Sequence, residues 1–425
     1  MNDKDTFRVF LVTNRFAPSK GGIERQCGLL AQAFMKRGIG VTVLTDRYTM
    51  GLPAFERIDG IPVRRVWSLW TLRRPFEWII TSLLKERSKV GSSGSVEGSA
   101  PSHRYHRQPL KRRLLRLFSY KLPMYTLCLS TFVALVRRRY EYDVIQVFQT
   151  NFLAVAAVLA GRITGKPVVA RDAVSEGMDE LTEFLFPKTI SSLVARNCTF
   201  IALSRHIEKD LLGRGIPASR IDRIPNSVEL HSTLSKTVAP ANSVLFVGNV
   251  SGDFRQKGLD VLLKAWKYVA AEVAGSRLTI IGGGDFRSFQ GLADAELVGA
   301  SVDFAGLKNN VGEWYEKSGI FVLPSRYEGM SNALLEAMSY GKACVVTNIS
   351  GSDDLIEDGL NGLKVPAENP DELARAILSL MRNPKRAREL GKKARATVET
   401  LHTPAKIAER YAAVYRRLLD TRESV

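Results

Sequence analysis

"GIFVLPSRYEGMSNALLEAMSYGKACVVT", Gly319 to Thr347, holds the pattern that decides the fold. Its opening "GIFVLP" is a short apolar run of the kind that makes a buried strand, and "KACVVT" at its end is another. Between them Ala333, Leu334, Ala337 and Met338 recur at helical spacing, and Gly341 supplies a stop. The unit is strand, polar loop, helix, strand. Glu328 falls in the loop after the first strand, and Glu336 falls inside the helix.

The same rhythm runs outward in both directions. The first half reads as strand "FRVFLVT", a "KGG" loop, a helix from Ile23 to Arg37 and strand "VTVLT", then strands "VIQVF", "PVVAR" and "TFIALS". A second series begins at "SVLFVGN" and continues with a helix from Leu259, "RLTIIGGG", "VDFAG" and the opening unit. Apolar strands alternating with helices predict parallel sheets. The strand-poor segment Glu229 to Asn242 separates the series, and 425 residues suit two domains. The expected fold is α/β, two doubly wound Rossmann-like domains facing a central cleft, with ligands outside the carboxyl ends of the strands. The expected boundaries are 1–235 and 241–405, followed by a terminal helix over 406–425.

Charge divides unevenly. Residues 1–240 carry 37 Lys and Arg against 20 Asp and Glu, a net +17; residues 241–425 carry 24 against 23, a net +1. His103 to Tyr140 holds ten Lys and Arg and no acid. It follows the Gly/Ser-rich stretch 88–102, expected to be flexible. In "KRRLLRLFSYKL", Leu114, Leu115, Leu117 and Phe118 sit among cations, a pattern open to two readings: a basic amphipathic helix or a solvated surface helix. Cys27, Cys128, Cys198 and Cys344 show no metal-ligand spacing, and the histidines form no constellation, so neither a zinc site nor a disulfide framework is expected. The chain enters an apolar strand within a few residues of Met1, which leaves no room for a signal peptide. The uncharged run Leu122 to Val136 is fifteen residues, short for a membrane span. A cytoplasmic protein is expected.

The glutamate pair has a physical reading. A helix starting at Ser331 offers unpaired N–H groups and partial positive charge, a cradle for a diphosphate at Gly329, Met330, Ser331 and Asn332. Glu336 lies about 7 Å further along at ~1.5 Å per residue, within a nucleoside's reach, where a carboxylate can accept from ribose hydroxyls. Glu328, on the other side of the helix start, faces what hangs from the distal phosphate. Two carboxylates flanking a phosphate cradle suit a sugar nucleotide.

The surrounding residues carry a resemblance. "LPSRYEGMSNALLEAMSYGKACVVT", with "VGNVSGDFRQKGLDVLLKAW", "LTIIGGG", "VDFAGL", "ALSRHIEKDLLGRGIPASRIDRIPNSVE", "PSKGGIERQ" and "AERYAAVYRRLL" in order, resembles the family 4 glycosyltransferases. These are retaining enzymes of GT-B fold marked by a Glu-x7-Glu motif. The likeness spans the chain apart from about residues 65–140. It implies that Glu328 contacts the donor sugar, that Glu336 holds the ribose, and that Lys257 neutralises the departing diphosphate. Gly21 and Gly22 would let backbone approach the sugar and the acceptor closely, and Asp172 is the candidate acceptor contact. No metal or other cofactor is implied. The partners implied are a UDP- or GDP-linked sugar and an acceptor held by the first domain, with the terminal helix crossing back to that domain.

The chain departs from the family pattern in three respects. Asn249 stands where members carry an arginine that grips phosphate, and Arg255 is the candidate replacement. Gln146, Phe148, Asp172 and Ala173 occupy segments where members often carry histidine. Ser227 replaces a usual glycine. The leading expectation is a retaining, metal-independent hexosyltransferase extending a lipid-linked glycan at the inner face of the cytoplasmic membrane, with 103–140 on anionic lipid and no nucleic acid bound. Two rivals remain: a non-catalytic basic binder of nucleic acid or anionic surfaces, and another GT-B enzyme such as a sugar-nucleotide epimerase or a phosphorylase. "GGG" at Gly282 to Gly284 lacks the G-x-G-x-x-G form, which argues against a nicotinamide dehydrogenase.

Overall fold

The computed structural model describes residues 7–19, 21–72, 120–172, 177–231, 239–250 and 256–423. The chain divides into two compact units, residues 1–171 with 176–200, and 172–175 with 201–425.

One sheet has eight strands: β1 (Arg8–Thr13), β2 (Gly40–Asp46), β3 (Phe55–Ile58), β4 (Ile61–Val66), β5 (Val144–Val147), β6 (Val168–Asp172), β7 (Cys198–Ala202) and β8 (Ile221–Arg223). Their order is β3-β4-β2-β1-β5-β6-β7-β8. β1 pairs in parallel with β2 and β5, so chain direction of travel across the sheet reverses there. β5 reads as an unbroken buried run because helices cover both faces. The covering helices include α1 (Gly22–Lys36), α2 (Leu122–Arg137) and α3 (Phe152–Thr164), the last capped by Asn151 Oδ1 on Leu153 N at 3.0 Å. β3 and β4 form an antiparallel hairpin through Asp59 and Gly60, both at positive φ, which the apolar-run reading passed over.

The second sheet has six strands: β9 (Ser243–Val247), β10 (Arg277–Ile281), β11 (Val302–Gly306), β12 (Ile320–Leu323), β13 (Ala343–Thr347) and β14 (Leu363–Val365). The order β11-β10-β9-β12-β13-β14, all parallel, is the doubly wound 3-2-1-4-5-6 arrangement. The helices of this unit include α4 (Leu259–Glu272), α5 (Asn332–Ser339), α6 (Pro370–Arg382), α7 (Pro384–Leu401) and α8 (Pro404–Glu423). β12 and β13 are wholly buried, and α5 lies between them in sequence, as the opening stretch predicts. Gly341, at φ +65°, ends α5 by a left-handed turn.

Part of the basic stretch is structural. In α2, Met124, Leu127 and Leu135 are buried, so this helix belongs to the core of its unit. At its end Arg138 pairs with Glu141 at 2.7 Å, and Arg139 lies over the Tyr140 ring. Residues 88–119, including Lys111 to Phe118, lie outside the described residues.

Candidate active site

The switch point of the six-stranded sheet lies between β9 and β12, and the two loops that leave it carry the predicted site. Close backbone packing fixes both. A Cβ on Gly282 would sit 1.8 Å from Gly248 O, and one on Gly258, already at φ +65°, 1.9 Å from Pro324 O. Only glycine lets the loop after β9 lie against the end of β12. Arg326 N then bonds Gln256 O at 2.8 Å, tying the loops by backbone.

Side chains complete the tie. Arg326 forks onto Asp260 at 2.9 and 2.8 Å and reaches Glu368 at 2.6 Å. The Asp260 hydrogen bond is the largest reason that Arg326's pKa is raised. Burial is the largest single influence on the Asp260 carboxyl and raises it. The Arg326 hydrogen bonds and charge, with two backbone hydrogen bonds, together outweigh it and hold the group below the usual carboxylate range. Sequence reasoning missed this clamp because its members are 66 residues apart.

The clamp positions the central pair. Lys257 Nζ donates to Glu328 Oε1, and Ser325 Oγ donates to the same oxygen at 3.1 Å. The Lys257 and Glu328 side chains are 19% and 9% exposed, so this ion pair is largely shielded from water. Behind it, a Cβ on Gly351 would lie 2.6 Å from both the Cβ and the carbonyl oxygen of Glu328. A glycine there is what allows the backbone of Glu328 to seat.

Beyond Glu328 the chain turns into α5. Ser331 caps it, its Oγ accepting from Leu334 N at 3.4 Å. Gly329 and Met330 precede the cap, and Asn332 opens the helix. Asn226 supports this turn: its Nδ2 donates to Asn332 Oδ1 at 2.9 Å and lies 3.5 Å from Met330 O. Buried His402, at the end of α7, donates from Nδ1 to Asn226 O at 3.1 Å. Burial lowers the His402 pKa, in keeping with a structural role. Glu336 is half-buried on the second turn of α5.

The structure therefore brings Lys257, Glu328, Gly329, Met330, Ser331, Asn332 and Glu336 onto one edge of one sheet. Arg255 lies outside the described residues, as does Ala173. Asn249 packs by Gly283, whose Cβ would lie 3.5 Å from Asn249 Oδ1. Gly21 and Gly22 start α1 in the other unit. Gly21 is extended at φ −165°, and a Cβ there would lie 2.3 Å from the flexible Glu24 carboxylate. Asp172 is buried at the end of β6. Gln146 is buried with its amide donating to Val147 O at 2.9 Å, and Phe148 lies under the Arg171 guanidinium. Among the described residues no group of His, Cys, Asp and Glu is arranged to hold a metal ion.

Two doubly wound sheets, one ending in a lysine–glutamate pair beside a capped helix start, define an α/β protein with a candidate site at the carboxyl edge of a parallel sheet. A family model described as "Glycosyl transferase 4-like domain" matches residues 21–227, and one described as "Glycosyl transferases group 1" matches residues 241–383. The chain belongs to the family 4 glycosyltransferases of GT-B fold. It is 31% identical over 211 residues to an uncharacterized glycosyltransferase of Haemophilus influenzae, a match covering 49% of this chain. The chain spans 58% of that relative's length, less than two thirds. It is 23% identical over 260 residues to the UDP-Gal:alpha-D-GlcNAc-diphosphoundecaprenol alpha-1,3-galactosyltransferase of Escherichia coli, covering 57% of this chain and 67% of that one. In structure it resembles an Anabaena protein solved with UDP and glucose, with a TM-score of 0.67 and 17% identity over 96% of this chain and 99% of that one.

Proposed function

We propose that the protein transfers a hexose or amino sugar from a nucleoside-diphosphate sugar to a lipid-linked glycan acceptor, with retention of configuration and without a metal. The observation that carries this reading is the Lys257–Glu328 pair, held at the switch point one turn from the Ser331-capped start of α5. An ammonium has three donors, so Lys257 can keep Glu328 in place and still bond diphosphate oxygens. Glu328 meets the sugar, the N–H groups around Ser331 meet the phosphates, and Glu336 takes the ribose hydroxyls.

In the proposed step the bond from the anomeric carbon to the phosphate oxygen breaks as an acceptor oxygen bonds the same face of that carbon. The acceptor proton passes to the departing phosphate oxygen, whose growing charge Lys257 stabilises. A UDP donor draws support from the relative named for UDP-Gal and the structural neighbour holding UDP; GDP is the other candidate. The lipid-linked acceptor draws support from the diphosphoundecaprenol in that relative's name and from the +17 of residues 1–240. Lys and Arg beside anionic lipid contribute about 1 kcal/mol each, which would favour a peripheral position on the inner membrane face through residues 103–140. Among the described residues no helix is long and apolar enough to cross a membrane. A purely basic binder leaves the Lys257–Glu328–Ser331 arrangement without a purpose.

The test is release of nucleoside diphosphate from UDP- and GDP-sugars incubated with membrane lipid extract and a chelator. Lipid-dependent release that survives chelation, with an α-linked product from an α-linked donor, supports the reading. Release that needs added magnesium or manganese, or an inverted product, contradicts it.

A further inference from the structure

On the edge of the six-stranded sheet opposite Lys257 and Glu328, a cavity of about 250 Å³ opens beneath the first residues of β12 and β13. Its walls are Ser318 and Gly319 before β12, Gly341 and Lys342 before β13, and the first turns of α7. The framework is tightly packed. A Cβ on Gly391 of α7 would lie 2.0 Å from Gly341 O, and one on Gly319 2.5 Å from Pro240 O. Arg395 Nη1 donates to Ser339 O at 2.6 Å and Nη2 to His231 O at 2.8 Å, which fixes α7 to the end of α5. The Tyr340 ring, also in the wall, stacks with His231 at 4.1 Å and with Tyr315 at 5.3 Å.

Three cations line this space against one acid: Lys342, Arg388 and Lys392 against Glu316. Lys342 is half-buried, and its Nζ donates to a neutral acceptor, Glu316 O at 3.2 Å. Burial pushes its ammonium down to about 8, against the charges of Glu316 and Cys344. An ammonium has three donors, so two remain for a ligand. Arg388 and Lys392 have no hydrogen-bond or ion-pair partner among the described residues. By contrast Arg375 and Arg382 on α6 and Arg395 on α7 each pair with a glutamate. The rest of the wall is mainly apolar, with Ala239, Ala241, Ile320 and Ala343. A desolvated cation beside two unpaired ones favours an anion, and a guanidinium fork matches phosphate oxygens two at a time.

We infer that this cavity binds a small, soluble phosphate monoester, with Lys342 and Arg388 on its phosphate oxygens, Lys392 as a further charge, and Ala241 and Ile320 against its carbon atoms. Three cations and one carboxylate leave a net +2, which the charge of about −1.5 to −2 on a phosphate monoester at pH 7 nearly cancels. The volume falls short of the ~300–1,000 Å³ of sites for drug-sized ligands, so a whole nucleotide sugar is too large. A recess that encloses carbon atoms together with the phosphate suits a soluble ester, since a lipid keeps its carbon chains in the bilayer. The site is distinct from the donor cradle. Ser331 caps one end of α5, Tyr340 and Gly341 close the other, and its 8 residues span about 12 Å at ~1.5 Å each. Both ligands can therefore be bound at once, and this site stands whether or not the donor reading does.

Saturation-transfer NMR on the full chain tests it, with glycerol 3-phosphate as the probe and glycerol as its uncharged counterpart. Glycerol 3-phosphate should bind saturably, and glycerol at least tenfold more weakly. Lys342→Met and Arg388→Met should each weaken the phosphate probe about tenfold, and Glu316→Gln should strengthen it. Lys393→Met, on α7 but not in the cavity wall, should leave it unchanged. Arg388 is exposed, so its variant keeps the test sound if Lys342→Met fails to fold. The probe should stay bound when UDP, GDP or phosphatidic acid vesicles are added in excess. No binding of glycerol 3-phosphate, equal binding of glycerol, displacement by a nucleotide or by the vesicles, unaltered binding by folded Arg388→Met, or an equal loss in Lys393→Met overturns the inference. Failure of UDP and GDP themselves to bind, read from their own resonances, counts against the transferase reading and leaves this one standing.

Discussion

Lys257 and Glu328, 71 residues apart in sequence, form one shielded ion pair at the carboxyl edge of the six-stranded sheet. The proposed function gives them different tasks, one at the diphosphate and one at the sugar. Their contact joins those proposed tasks: the lysine proposed for the leaving group is positioned by the carboxylate proposed for the transferred group. A hydrogen bond to a charged group contributes about 1.5–3 kcal/mol, and the partner left behind is largely buried. Lys257→Ala and Glu328→Ala should each destabilise the fold by roughly that amount, and the double variant by less than the sum. Urea denaturation of all four proteins checks this; strictly additive losses would mean that the pair does not couple.

Transfer rates should separate the two residues. Lys257→Ala should lower kcat more than it weakens donor binding, because charge on the diphosphate is greatest in the transition state. Glu328→Ala should weaken bare nucleoside diphosphate less than Lys257→Ala does, through the lost positioning of the lysine, while cutting transfer. An equal loss of diphosphate affinity in both variants would place Glu328 on the phosphate side.

Gly351 and the Arg326–Asp260 clamp act through Glu328 and its loop, so they are positioning residues. Gly351→Ala forces a methyl to 2.6 Å from the Glu328 carbonyl, an overpacking that costs about 1–3 kcal/mol. Arg326→Lys keeps the charge but loses the fork. Both variants should remain folded, with kcat reduced roughly tenfold and nucleoside-diphosphate affinity within a fewfold of wild type. If both turn over as wild type does, the loop is not held by these contacts.

Asp46 gives the fold a pH signature. Its folded-state pKa, about 6, lies above the ordinary aspartate value, so the folded protein takes up a proton before the unfolded chain does. The burial penalty is present above pH 6 and is relieved as pH falls towards the unfolded value. Relative to Asp46→Asn, wild type should therefore gain about 1.4 kcal/mol between pH 7.5 and pH 5, one unit below the folded pKa. A difference that stays flat, or that moves against wild type on acidification, would show that Asp46 is not desolvated.

The opening stretch was legible because strands buried on both faces write themselves as apolar runs, and because Ser331 and Gly341 are local signals that need no tertiary context. The hairpin at Asp59 and Gly60 carries an equally local signal, but charges interrupt "FERIDGIPVRRV" and hide it from a search for apolar runs. The Arg326–Asp260 clamp, the seat that Gly351 provides and the support of Asn226 by His402 are contacts across many residues of chain. No spacing rule reaches them. The cation-lined cavity was hidden for a different reason. Lys342 precedes β13 while Arg388 and Lys392 sit on α7, and nothing local marks these three among the 24 Lys and Arg of residues 241–425.

Nucleoside-diphosphate binding tests the central claim most directly. Isothermal titration of UDP and GDP into wild type and Glu336→Ala, with a chelator present, should give saturable binding of one nucleotide. The variant, still folded by circular dichroism, should bind it ten- to a hundredfold more weakly, the loss of one charged hydrogen-bonding group at ~1.5–3 kcal/mol. If neither nucleotide binds wild type, or if Glu336→Ala binds as tightly as wild type, α5 does not hold the donor and the assignment of the site fails.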